Sequence, residues 1–183
     1  LSIIINLDDF KDISFPDSII QVLRKVIKQL DKSLDQSFRW YEFSKAIKAN
    51  SIKKRLSNHF NNLNTRLKEP DNFEESSRKK SGNKISGEAK GGYGGAEAKI
   101  GSEVSEEQEL ARTIKIDKLN ILRNELTEFK DLIQETAEYL DNDIFLILDD
   151  FYFIRKIDQP YFADFFHRIS KNTRLYLKIA TIK

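Results

Sequence analysis

Ile144-Phe145-Leu146-Ile147-Leu148-Asp149-Asp150 is a short apolar run that stops abruptly on two carboxylates. Five consecutive apolar side chains cannot alternate between core and water, so the run predicts a strand covered on both faces of a parallel sheet. The two acids then fall at the strand's carboxyl end, the rim where open α/β sheets hold their ligands.

Downstream, Asp158 is a suitable N-cap and Pro160 suits the first turn of a helix over Gln159 to Lys171. Leu175 to Ile182 then reads as a second strand. Upstream, Leu119, Leu122, Leu126, Phe129, Leu132 and Ile133 recur at helical spacing, which predicts one long helix over about Ile116 to Leu140, broken by Asn142-Asp143. At the front of the chain, Ser2 to Leu7 is a strand candidate followed by Asp8-Asp9. Pro16 opens a helix to about Leu34, striped by Ile19, Ile20, Leu23, Val26, Ile27 and Leu30, and more helical pattern runs from about Trp40 to Leu67. Strand, helices, strand, helix, strand is the alternation of a parallel α/β sheet.

All seven glycines lie between Gly82 and Gly101. The surrounding stretch, 69–112, is rich in Ser, Gly, Lys and Glu and almost lacks large apolar residues. Such a segment buries too little surface to offset its ordering entropy, so it reads as a flexible insertion. Neither flank carries enough strands to close a core alone. Residues 1–68 and 113–183 are therefore expected to form one α/β/α sandwich of three layers with a mostly parallel sheet.

Bulk properties narrow the function classes. The 183 residues suffice for one domain, and a net charge of +2 gives no strong case for nucleic acid or an anionic membrane. The absence of cysteine excludes disulfides, thiolate metal sites and a Cys nucleophile, and it fits a cytoplasmic location. No apolar run approaches the roughly 20 residues that span a bilayer, so no membrane partner is expected. The chain starts at Leu1 directly before Ile3-Ile4-Ile5 and stops just after a strand-like segment, so it reads as part of a longer polypeptide.

Asp149 is the leading functional candidate. A carboxylate on a rigid strand end can hold Mg²⁺, directly or through water, against nucleotide phosphates. Asp150 beside it can orient or deprotonate an attacking water. The competing reading is that both acids merely begin a turn, since Asp is common where strands end.

The span Ile144 to Ile154, then Asp158-Gln159-Pro160, Asp164 to Arg168 and Leu175 to Ile182 resembles bacterial P-loop ATPases of the AAA+/STAND type. That resemblance implies an ATP-hydrolysing module with ATP and Mg²⁺ as cofactors, in which Ile144 to Asp149 is the Walker B strand. It also implies that Thr181, at the end of the last strand, senses the γ-phosphate. Ile3 to Phe10 looks like the family's second strand, which normally follows the P-loop helix. A Walker A motif is missing: Gly82 and Gly87 have its spacing, but Glu88 stands where Lys is required. The family places that motif before the strand that opens this chain, so these residues alone are expected to be inactive.

Two further features compete for a role. Lys45 to Lys68 holds seven basic residues and no acid, a candidate nucleic-acid contact or a solvated helix face. Arg168 is a candidate for acting across an interface with a neighbouring subunit, or for a structural salt bridge. His59, Trp40 and Tyr41 read as packing residues. The alternative to an ATPase is a non-hydrolysing α/β module that associates with nucleic acid or protein.

Overall fold

A computed structural model of the chain describes residues 1–37, 43–68 and 118–180. Three strands, β1 (Ser2–Asn6), β2 (Ile144–Asp149) and β3 (Leu175–Ile179), form a parallel sheet in the order β1-β2-β3. The register sets Ile3 beside Leu146 and Ile5 beside Leu148, while Leu146 faces Leu177 on the other side. The run that ends in Asp149 is therefore the central strand.

Helices of the described residues accompany the sheet: α1 (Asp17–Ser37), α2 (Phe43–Lys68), α3 (Leu126–Leu140) and α4 (Gln159–Ser170). The expected stripe of α1 is buried from Ile19 to Leu34. Ala49, Ile52, Leu56 and Leu63 of α2 are buried, as are Phe129, Leu132, Ile133 and Ala137 of α3. Phe162, Phe165, Phe166 and Ile169 turn one face of α4 inward. These side chains join Ile3, Ile5, Ile144, Leu146, Leu148 and Leu175 in a single core, so the flanks of 69–112 pack together. Residues 69–112 themselves lie outside the described residues.

Among the described residues, only one face of the sheet carries that core. Along β2, Ile144, Leu146 and Leu148 are buried, whereas Phe145 and Ile147 are half-buried; on β1, Ile4 is 68% exposed. The strand expected to be covered on both faces is thus covered on one by the described residues, and the second helical layer of a three-layer sandwich is not among them. Topology gives the reason. The strands advance in one direction across the sheet, and right-handed connections between parallel strands then place every crossover on the same side.

Three local expectations change. The helix expected over 116–140 is interrupted by a turn at Glu125, with residues 118–124 helical before it. The Glu125 N–H still donates to the Ile121 carbonyl, and the Phe129 N–H to that of Glu125, so the helical bonding carries across. Asp158 makes no side-chain cap to α4, because its carboxylate accepts the Arg155 guanidinium at 2.7 Å. The break after α3 lies at Asp141, which is left-handed (φ 47°), while the Asn142 N–H returns to the Ala137 carbonyl. Among the described residues, no helix is long and apolar enough to cross a membrane.

Candidate functional site

The carboxyl ends of β1 and β2 meet side by side, because Asn6 pairs in register with Asp149. Each strand leaves the sheet through a 3₁₀ turn, Leu7–Phe10 after β1 and Phe151–Phe153 after β2. The Asn6 side-chain oxygen accepts the Asp8 N–H at 2.8 Å and fixes the first turn. The second begins at Asp150, whose backbone is left-handed (φ 54°, ψ 41°) and whose carbonyl accepts the Phe153 N–H.

Asp149 is exposed and, by the alternation that follows Phe145 and Ile147, stands on the open face of the sheet. Its Oδ1 accepts the Asp150 N–H at 2.9 Å. Neither Asp149 nor Asp150 forms an ion pair among the described residues, in contrast to Asp8 with Lys11 and Asp9 with Lys25. Tyr152, 46% exposed, reports the local field. Its hydroxyl is held above the ordinary tyrosine range, first by desolvation and then by the negative charges of Asp150, Asp8 and Asp149.

β3 closes the group from the other side. The Ala180 N–H donates to the Leu148 carbonyl at 2.8 Å, and the Ala180 carbonyl accepts the Phe151 N–H at 3.1 Å. The last described residue is therefore stitched to the strand end that carries the two acids. Thr181 itself lies outside the described residues.

The donor set here is hard oxygen on a rigid strand end with no balancing cation among the described residues. That suits Mg²⁺, which keeps several waters and takes one or two protein carboxylates beside phosphate oxygens. Among the described residues, no three His, Cys, Asp or Glu side chains come close enough to hold an ion by themselves. Asp149 therefore does not belong to a closed protein cage among the described residues. A cavity of about 190 Å³ opens nearby between the two turns, lined by Phe10, Phe15, Ile154 and Arg155 among others. It excludes the two acids and falls below the roughly 300–1,000 Å³ of small-molecule sites.

Asn6, Asp8 and Tyr152 join the site without having been expected there. One signal existed: Leu7-Asp8-Asp9-Phe10 repeats as Leu148-Asp149-Asp150-Phe151, although the register offsets the two copies, since Asn6 and not Asp8 pairs with Asp149. The remaining described candidates make contacts within the fold. On α2, Lys53 pairs with Asp35, Arg55 with Glu135 and Arg66 with Glu125, so much of the basic stretch is occupied within the fold. Arg168 pairs with Asp164 one turn earlier on α4, at 2.8 Å. His59 is buried, its Nε2 3.4 Å from Glu128 and its ring against Phe129. Trp40 and Tyr41 lie outside the described residues.

No protein-family model, no curated protein and no solved structure matches this chain.

Proposed function

We propose that the chain is the Walker B and sensor half of a P-loop ATPase module. The observation that carries this reading is Asp149 itself: a carboxylate without an ion pair among the described residues, ending the central strand of a parallel sheet on the face the described helices leave open. In the active module ATP supplies the bond to be broken, and Mg²⁺ supplies charge against its phosphates. Asp149 contributes an oxygen that holds the metal, directly or through water. Asp150 orients the attacking water and accepts its proton, and Thr181 offers a hydroxyl to the terminal phosphate. Nucleotide state would then reset attached domains or neighbouring subunits.

The reading needs a phosphate-binding loop from outside these residues, and the fold has room for it. A strand paired to the free edge of β3 and leading into β1 would reverse the direction of travel. Right-handedness would then lay its helix over Ile4, Phe145, Ile147 and Tyr176. The turn between that strand and helix would open beside Ala180 and Asp149, at the reversal where such sheets bind nucleotides.

In a longer protein carrying this chain, Asp150→Asn is expected to cut ATP turnover by about 100-fold or more while leaving ATP affinity within a few-fold. Unchanged turnover rules out Asp150 as the water-activating acid. The missing Walker A motif favours one second reading, a non-hydrolysing nucleic-acid or protein module. It predicts nucleic-acid binding that falls steeply with salt and is lost when Lys53, Lys54 and Arg55 are neutralised.

A further inference from the structure

The free edge of β1 is a different surface from the acid cluster and from the open face. β1 pairs only with β2 among the described residues. The Phe145 N–H donates to the Leu1 carbonyl at 2.8 Å, so in a parallel ladder Leu1, Ile3 and Ile5 turn their backbone groups to β2. Ser2, Ile4 and Asn6 turn theirs outward. α1 runs beside this edge, and the two enclose a groove of about 690 Å³ lined by Ser2 to Ile5, Lys25, Lys28, Gln29 and Lys32.

The groove has a defined charge pattern. Lys25 is paired with Asp9 and Asp35 with Lys53, and Asp31 also lines the groove, while Lys28 and Lys32 are exposed and make no ion pair among the described residues. They stand four residues apart on one helix face, about 6 Å along the axis. Residues on one side of a strand repeat at about 6.6 Å, nearly the same interval. A strand added to this edge would therefore set acids at alternate positions against Lys28 and Lys32. Its other side would lie beside Ile4 on the apolar face.

We propose that the β1 edge and the lysine row of α1 bind an extended acidic segment of a partner protein, which joins the sheet as a further strand. Its sequence alternates Asp or Glu with aliphatic residues. Main-chain bonds to Ser2, Ile4 and Asn6 give affinity, and the two lysines set the register. A nucleic acid fits less well, since its backbone cannot continue the ladder. This site is independent of the ATPase reading and is tested without nucleotide.

The probe is a fluorescein-labelled ten-residue peptide of alternating Glu and Val, titrated into the 183-residue chain by fluorescence anisotropy. Lys28→Glu combined with Lys32→Glu should weaken binding at least tenfold. Methylation of alternate peptide nitrogens should abolish it, and so should Ile4→Pro, which removes an outward N–H at an edge position where proline is tolerated. If Ile4→Pro does not fold, the methylated peptide and the charge-reversed variant decide the matter. Binding that survives methylation is ionic only and overturns the proposal. Absence of peptide binding also overturns it, as does tighter binding of a single-stranded oligonucleotide of equal charge. Pairing of this edge between two copies that the peptide cannot displace does the same.

Discussion

Ile4 and Ile5 are neighbours in one strand, yet Ile5 is 1% exposed and Ile4 68%. Truncating each to alanine tests whether the sheet is covered on one face only. Ile5→Ala removes fully buried carbons from the contact with Leu148 and the helices behind it, at a cost of about 2–5 kcal/mol. Ile4→Ala gives up mainly strand preference, which is at most about 1 kcal/mol and is lost equally at Ile5. The expected difference is thus about 3 kcal/mol. With a urea dependence of about 2 kcal/mol/M, the unfolding midpoint of Ile5→Ala should fall about 1.5 M below that of Ile4→Ala. Far-UV circular dichroism in urea at two protein concentrations measures this and reveals any contribution from association. Equal losses at the two positions would refute the one-sided sheet.

Other consequences can be checked on the same protein. Asp150→Asn should move the Tyr152 titration down toward the ordinary tyrosine value, followed by ultraviolet absorbance at alkaline pH, because one of the charges that raises it is gone. The sign extends to stability: a raised folded value means that stability falls as pH climbs past the ordinary tyrosine range, and less so in the variant. Asp141→Gly should stabilise the fold by about 0.5–1 kcal/mol in thermal melts, since glycine fills a left-handed helix end without a side-chain penalty. Arg66→Met should cost about 2–3 kcal/mol, because it strands the mostly covered Glu125 carboxylate beside α2. Lys53→Met, which breaks a more exposed pair with Asp35, should cost no more than about 1 kcal/mol in the same denaturation assay.

The strand at Ile144 and the helices around it were legible because core-facing periodicity is a local property. Coverage was not local. Phe145, Ile147 and Ile4 are as apolar as their buried neighbours, and only the strand order shows that they face away from the helices. The meeting of Asn6 with Asp149 depends on pairing between residues 143 positions apart in sequence, so no window along the chain contains it. Asp158 failed as a cap for a chemical reason: Arg155 offers its carboxylate a charged donor, which outcompetes a backbone N–H. Similarly, the basic look of Lys45 to Lys68 held no information about the acids on α1, on α3 and in the turn before α3 that take up Lys53, Arg55 and Arg66.

The left-handed backbone at Asp150 also restricts which acid can occupy that place. Aspartate and asparagine enter this conformation more readily than longer side chains, because their short polar groups bond locally. Glutamate would carry the same charge on a longer arm, but it would sit in a conformation that costs ordinary residues about 1–2 kcal/mol. A chain that leaves β2 through this tight 3₁₀ turn therefore gives up glutamate's reach, and under the proposed ATPase reading the water would have to come to the carboxylate. Relatives with glutamate at this position should leave the strand through a differently shaped turn, so the geometry of the exit and the length of the acid would change together.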